Sequence, residues 1–266
     1  MKRNLGPMES QLLAYGQMRQ LRTLRRGDAA RALRISPKQE ANLLSRLARA
    51  GLIARVWRGL YLLPPRLPLG GTWTPDEGLA ITTLMDARKG RYQVCGPNAF
   101  NRYGFDEQVP ARVYAYNNRV SGDRSVGAVA LTLIKVADAR LGDTEPVRTA
   151  DGISVAYSSR VRTLIDAVYD WSRFNGLPRA YDWIRAELTS GRVSAADLVR
   201  VAMRYGDIAT VRRIGALLER LAAPLGLLRK MERELPRTTG PIPWVPTRPK
   251  RGSADRRWGV VWNDRT

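Results

Sequence analysis

The chain has 266 residues, enough for two modest domains and a tail, and 44% of them are hydrophobic, which excludes wholesale disorder. Its formal net charge of +21 attracts polyanions, most commonly nucleic acid, although a general compositional preference for arginine is an alternative explanation. Histidine is absent and Cys95 is the one cysteine, which excludes an imidazole base, an intrachain disulfide and a cysteine–histidine zinc site.

The N-terminus lacks the apolar run of a signal peptide, and no stretch approaches the ~20 apolar residues of a membrane span. We therefore expect a cytoplasmic protein with no membrane partner. Cys95 ends the mainly apolar run Tyr92-Gln93-Val94-Cys95, so a buried, inert thiol is expected there.

Residues 1–66 predict a winged helix-turn-helix. A first helix is expected over 8–24 and a short second one over 28–34, capped by Asp28. Ser36-Pro37-Lys38-Gln39 fits a capping box with proline at the first helical position, so a third helix should run to about Ala50. Residues 52–63 then predict two strands joined around Arg58-Gly59, which form the wing.

The third helix separates into two faces at 100° per residue. Its apolar half carries Ala41, Leu43, Leu44, Leu47 and Ala48. The opposite face carries the stripe Lys38, Asn42, Ser45 and Arg49, flanked by Gln39 and Arg46. Only Glu40 lies on the wrong side for its polarity.

Long donors and amides on that stripe are the side chains that read base edges and phosphates in a major groove. Arg55 and Arg58 would project from the wing toward the phosphate backbone. Residues 1–66 contain fourteen Lys or Arg against three Asp or Glu, which favours DNA binding. The alternative is that the same arrangement only packs, or contacts another protein.

A linker is predicted at Pro64-Pro65, Pro68 and Gly70-Gly71, followed by an α+β domain over 72–235. Strands are expected at 92–95, 112–116, 128–136 and 153–158, and helices at 75–87, 161–171, 179–189, 195–205 and 208–221. The Pro-, Arg- and Trp-rich residues 236–266 predict an extended basic tail. Its cations and tryptophans suit nucleic-acid contact or docking on a partner, unless Trp258 and Trp262 bury against the protein itself.

Catalytic patterns are missing from this domain. Asp138, Asp143 and Glu145 lie close together but have no lysine at the spacing of a metal-dependent nuclease, so a turn is the better interpretation. Ser158 and Ser159 are better explained as helix caps than as nucleophiles. Asp166 is expected to pair with Arg162, four positions earlier, or with Arg160. No catalytic residue, metal site or cofactor is predicted.

The chain resembles the AbiEi-type antitoxins of type IV toxin–antitoxin systems. The similar segments, in the family's order, are Leu47–Tyr61, Gly90–Gln108, Ile153–Ala167 and Arg212–Glu219. The last contains Arg213-Ile214-Gly215, which is similar to the family's Arg-[LI]-Gly pattern. The chain departs from the family in the bulkier helix at Asn98–Tyr103 and in Arg160, where an acidic residue is common.

The resemblance implies that the winged helix represses its own operon by binding double-stranded operator DNA. It also implies that the C-terminal domain counters a cognate nucleotidyltransferase-like toxin. Two alternatives stay open. One is a stand-alone regulator whose C-terminal domain senses a ligand or dimerises, and the other is a nuclease fused to a DNA-binding domain.

Overall fold

The computed structural model of the protein describes residues 5–66, 71–236 and 240–264, so Pro68 and Gly70 of the predicted linker lie outside the described residues. The chain divides into two compact units. Unit 1 comprises Met1–Tyr92, Ala111–Val136 and Pro146–Val155, and unit 2 comprises Gln93–Pro110, Ala137–Glu145 and Ala156–Thr266. Both units combine helices with short strands, so the predicted α+β class is confirmed. The functional boundaries at 66, 72 and 235 stay a prediction.

Unit 1 begins with a winged helix-turn-helix. Its elements are α1 Pro7–Met18, β1 Thr23–Arg25, α2 Asp28–Leu33, α3 Pro37–Arg49, β2 Ala54–Trp57 and β3 Leu60–Leu62. The strands form an antiparallel sheet in the order β1-β3-β2. Buried side chains from the three helices and the sheet share one core, including Leu12, Leu24, Ala29, Leu43, Leu47 and Ile53.

The prediction of one helix over 8–24 is wrong at its C-terminal end. α1 stops at Met18, and Gln20 adopts a φ of 52°, which is incompatible with a continuing right-handed helix. Leu24 then enters the core from β1, where it lies opposite Tyr61 of β3. β1 thus adds a third strand to the sheet of the wing, and its extended backbone places the Leu24 side chain in the core.

The next part of the chain combines two helices with several short strands. Its elements are α4 Glu77–Ala87, β4 Tyr92–Val94, α5 Pro97–Arg102, β5 Val113–Asn117, β6 Gly122–Val126, β7 Val129–Lys135, β8 Thr144–Arg148 and β9 Ser154–Ser158, with a 3-10 turn at Asp138–Arg140. In unit 1, β7 pairs in parallel with β5 and antiparallel with β6. In unit 2, β4 pairs in parallel with β9, with Val94 opposite Tyr157.

All four strands predicted for this segment are present, as β4, β5, β7 and β9, but β6 and β8 were not predicted. Both are mainly exposed along their length. A strand with little burial carries no alternation of apolar and polar residues, so hydrophobic periodicity does not detect it.

Unit 2 is mainly helical. Its helices are α6 Arg160–Tyr169, α7 Trp171–Phe174, α8 Arg179–Thr189, α9 Ala195–Tyr205, α10 Ile208–Arg220 and α11 Leu225–Glu234. Four of them match predicted helices. The Ser159 side chain caps α6 as predicted, and those of Ser194 and Asp207 cap α9 and α10. The same prediction is wrong for Ser158, which is the last residue of β9. Cys95 is buried, as predicted. Among the described residues, no helix combines the length and apolarity needed to traverse a bilayer.

The tail is folded, which corrects the prediction of an extended segment. β10 Ile242–Pro243, β11 Ser253–Asp255 and β12 Val260–Trp262 form a small sheet in the order β10-β12-β11. The Trp258 ring is fully buried and lies where a side chain on Gly215 of α10 would be. Its Nε1 donates to Glu219 at 2.6 Å. Composition misses this arrangement because the tail is ordered by contacts with a helix far away in sequence.

Candidate nucleic-acid interface

The start of α3 is fixed by the predicted capping box. The Ser36 hydroxyl accepts the Gln39 N–H at 3.3 Å, and Gln39 Oε1 accepts the Ser36 N–H at 2.8 Å. Pro37 occupies the first helical position, where a missing N–H costs nothing. Gln39 therefore has a local structural role, and its amide nitrogen is the part that stays available as a donor.

The two faces of α3 follow the predicted pattern with one exchange. Leu43, Leu44 and Leu47 are buried, whereas Ala41, predicted on the apolar face, is exposed. Glu40 is 1% exposed and takes a central position on the buried face. The predicted stripe is exposed in full, with Lys38, Asn42, Ser45 and Arg49 on the outer surface of the helix.

Glu40 is buried because it caps another helix. Its carboxylate accepts the backbone N–H groups of Gly27, Ala29 and Ala30 at 2.9 to 3.2 Å. These donors lie at the N-terminus of α2, where the helix dipole favours an anion. The expected cap, Asp28, is instead the first helical residue and accepts the Arg25 N–H at 2.7 Å. Glu40 thus ties the two helices of the helix-turn-helix together.

Two arginines of α3 make contacts within the chain. Arg46 lies 3.4 Å from a Glu9 carboxylate oxygen, and half of its side chain remains exposed. Arg49 Nε approaches the Ser45 carbonyl at 3.4 Å, at the limit of a hydrogen bond. Across the described part of the chain, Lys38 and Asn42 have no protein partner. They are the stripe residues whose donors are most available to a ligand.

The wing presents two more cations. Arg55 is exposed on β2, and Arg58 is exposed in the turn between β2 and β3. Because β1 pairs with β3, Arg25 and Arg26 lie beside that turn. The Arg26 N–H donates to the Gly59 carbonyl at 2.8 Å. The sequence interpretation missed this pair because it placed Thr23 and Leu24 in the first helix and predicted no strand after them. The polar–apolar–polar alternation of Thr23–Arg25 matches the burial of this strand, but three residues are too few to establish a period in the sequence.

Trp57, at the end of β2, is flanked by two arginines from outside the winged helix. The guanidinium of Arg88, just after α4, lies 4.6 Å from its ring centre, and that of Arg124 on β6 lies 5.2 Å away. Stacking on an indole fixes a guanidinium and leaves its N–H edge free. A shallow groove of about 330 Å³ runs beside the ring, lined by Arg55, Val56, Trp57, Arg58 and Ser125. Sequence reasoning missed Arg88 and Arg124.

The charge of this surface is not neutralised by its own acidic residues. Residues 1–66 contain three of them: Glu9 pairs with Arg46, Asp28 pairs with Arg31 at 2.7 Å, and Glu40 is buried on backbone donors. The exposed stripe and the wing thus combine hydrogen-bond donors with uncompensated positive charge. This is the chemistry that binds phosphates and the edges of bases.

The acidic residues considered for metal binding do not converge on one point. Asp143 accepts from the Ser159 hydroxyl at 2.7 Å and pairs with Arg200, while Glu145 accepts from the Tyr103 hydroxyl at 3.0 Å. Burial and the Glu145 carboxylate raise the pKa of Tyr103, which keeps it a neutral donor. Among the described residues, no group of three or more potential metal ligands is found. Glu145 belongs to β8, so the predicted turn is wrong there.

Asp166 belongs to a buried ion-pair network, as predicted. Arg162 Nε donates to both of its oxygens at 2.9 Å, and Arg140 donates at 3.1 Å. Arg160, the other predicted partner, pairs instead with Glu187 at 3.1 Å. Asp166 and Arg162 are both fully buried, and Ser158 is buried beside them on Gln93 at 2.8 Å. These positions favour a structural role over a catalytic one.

Comparison with known proteins supports the resemblance. Residues 13–64 match the family described as "Transcriptional regulator, AbiEi antitoxin", so the similarity predicted from the sequence is confirmed over the winged helix. No curated protein matches the chain. The crystal structure of the RV2827C protein from Mycobacterium tuberculosis has a similar fold, with a TM-score of 0.62 and 14% identity over 97% of this chain and 92% of that one.

Proposed function

We propose that this protein, whose winged helix matches the AbiEi antitoxin regulators, binds operator DNA of its own operon and counters a nucleotidyltransferase-like toxin. The observation that supports this proposal most directly is the stripe on α3. There Lys38 and Asn42 are exposed and have no protein partner among the described residues. The protein acts in the cytoplasm by binding rather than by catalysis and needs no cofactor.

We assign base reading to the stripe and backbone contact to the wing. An asparagine amide pairs bidentately with adenine and an arginine with guanine, so Asn42 and Arg49 are the principal readers. Lys38, Ser45, Arg46 and the free amide nitrogen of Gln39 contribute donors around them. Arg55 and Arg58 contact phosphates and carry little sequence information.

The experiment compares operator with scrambled duplex at one fixed salt concentration. Asn42→Ala and Arg49→Ala should each cost roughly 1–3 kcal/mol of discrimination between the two duplexes. Arg58→Ala should weaken both complexes about equally, and so serves as the matched control. If both helix variants keep the wild-type ratio of affinities, α3 is not the reader.

Salt dependence supplies a second measure of the same interface. If the stripe and wing cations meet phosphates, the logarithm of the association constant should fall with the logarithm of salt by about 0.9 per contact. A wild-type complex with the upstream promoter region that is insensitive to salt would contradict the proposed interface.

The antitoxin role is tested by growth after co-expression with the adjacent nucleotidyltransferase-like gene. A full-length Asn42→Ala/Arg49→Ala variant should lose promoter binding and still protect cells. Loss of protection in that variant would mean that repression accounts for the effect. Failure of the wild type to protect would favour the stand-alone regulator.

A further inference from the structure

The tail contains a basic loop that the proposed operator site does not use. It spans residues 246–252, between β10 and β11, and exposes Arg248, Lys250 and Arg251. The sequence left open whether Trp258 and Trp262 stack on bases, dock on a partner or bury against the protein itself. Trp258 and Trp244 are buried and Trp262 is covered by Arg220, so the accessible chemistry of the loop is that of its cations.

The backbone of the basic loop is held by one buried amide. Asn263 Nδ2 donates to the carbonyls of Val245, Arg248 and Pro249 at 3.0, 3.2 and 3.0 Å, and its Oδ1 accepts the Val245 N–H at 2.8 Å. At the other end, a side chain on Gly252 would overlap the Trp262 carbonyl. The loop is therefore ordered without a ligand, which lowers the entropy cost of binding one.

Its charges are uncompensated, unlike many others in unit 2. Arg160 and Arg192 both pair with Glu187, and Arg179 pairs with Asp106 at 2.8 Å. Lys250 and Arg251 form no ion pair with any residue in the described ranges. Arg248 donates to the Asp264 backbone carbonyl at 2.8 Å, which orients its guanidinium without neutralising it.

The geometry points to the basic loop as a second polyanion site, which binds the phosphodiester backbone of nucleic acid without reading its sequence. An ordered turn with three outward cations fits closely spaced phosphates. A protein interface would be expected to have exposed aromatic anchors, whereas the tryptophans of the tail face inward or stack on Arg220. The site is independent of operator recognition by α3.

The test uses the full chain with Lys38→Ala, Arg55→Ala and Arg58→Ala, which weaken the proposed α3 and wing site. We expect this background to retain salt-dependent binding to a scrambled duplex. Adding Lys250→Ala/Arg251→Ala should lower affinity about tenfold and reduce the salt slope by about 1.8, or 0.9 per lost phosphate contact. Unrelated tRNA is titrated in parallel, and the tighter of the two complexes shows whether the loop prefers the phosphodiester backbone of DNA or of RNA.

Arg256→Ala is the matched control, because Arg256 is exposed in the turn at the opposite end of the β11–β12 hairpin. Its affinity change should stay below twofold. Equal losses from Arg256→Ala and from the loop variants, or no loss from the loop variants, would overturn the proposal in favour of diffuse attraction. Discrimination between operator and scrambled duplex is measured separately, in the otherwise wild-type chain. If that discrimination is absent, the proposed operator site is wrong, but the result for the basic loop still stands.

The variant Asn263→Ala tests whether the ordered backbone of the loop contributes to binding affinity beyond the charge of its cations. It keeps every cation but removes the bonds that hold the loop, so affinity should fall severalfold. Thermal unfolding of the same variant checks that unit 2 remains folded. If a folded Asn263→Ala protein binds as tightly as its parent, preorganisation of the loop is wrong. The Lys250→Ala/Arg251→Ala result then decides whether the site itself exists.

Discussion

Both oxygens of the Glu40 carboxylate lie 2.9 Å from the backbone nitrogen of Gly27, so α3 supplies the cap that α2 lacks. Glu40→Ala would leave three N–H groups at the start of α2 without their acceptor. We expect a loss of about 2–3 kcal/mol in the free energy of unfolding, because buried donors are costly to leave unsatisfied. Chemical denaturation of the full chain measures it.

The control for this prediction is Asp86→Ala, which removes an exposed carboxylate from the last turn of α4. Its effect should stay within about 0.5 kcal/mol. If the two variants lost the same free energy of unfolding, Glu40 would contribute no more to stability than an exposed carboxylate does.

Trp57→Ala should weaken duplex binding although the indole itself need not touch DNA. Loss of the ring releases Arg88 and Arg124, each held by an interaction of roughly 0.5–1 kcal/mol. We expect a threefold to tenfold loss of affinity for scrambled duplex and partial retention in Trp57→Phe. Arg112→Ala, which removes a guanidinium already paired with Asp123, is the control. Identical affinities for the alanine and phenylalanine variants would refute stacking as the cause.

Asp166→Ala should be among the most destabilising single changes in unit 2. It leaves Arg162 fully buried without its carboxylate, and removal of one partner from a buried pair costs about 3–5 kcal/mol. Replacing both residues, as Arg162→Met/Asp166→Leu, should recover part of that loss. Thermal unfolding of the single and double variants measures the coupling. A double variant less stable than Asp166→Ala would contradict the prediction.

The same substitution should have opposite effects in two helices of unit 2. Gly215→Ala in α10 would place a methyl group in the Trp258 ring, whereas Gly226 in α11 is open to solvent. We expect Gly215→Ala to destabilise by about 1–3 kcal/mol through overpacking, and Gly226→Ala to stabilise by roughly 0.5 kcal/mol through helix propensity. Thermal unfolding compares them, and a neutral Gly215→Ala would mean that the tail shifts freely on α10.

Local signals predicted the start of α3 and its exposed face well. Ser36 and Gln39 specify where α3 begins, and the leucine spacing specifies which face is exposed, since both depend on residues within one or two turns. β1 was not predictable in this way, because three residues are too few to establish a period.

The remaining differences come from long-range contacts. The burial of Glu40 depends on the backbone donors of another helix, and Arg124 joins the wing through a ring 67 positions earlier in the chain. The Arg213-Ile214-Gly215 pattern gains its physical meaning only with the tail in place. Arg213 then donates to the Pro243 carbonyl, and Gly215 leaves room for an indole.

The docking of Trp258 on α10 also sets an order of events during synthesis. Arg212 donates to the Trp258 carbonyl, which lies 46 residues further along the chain. α10 ends at Arg220, 38 residues before Trp258, so at roughly 5–20 residues per second a ribosome completes the helix about 2–8 seconds before it adds that tryptophan. Until the tail docks, α10 lacks the indole that covers part of its apolar surface in the folded protein. Newly made chains are therefore open to chaperones and proteases at α10 until the tail has docked.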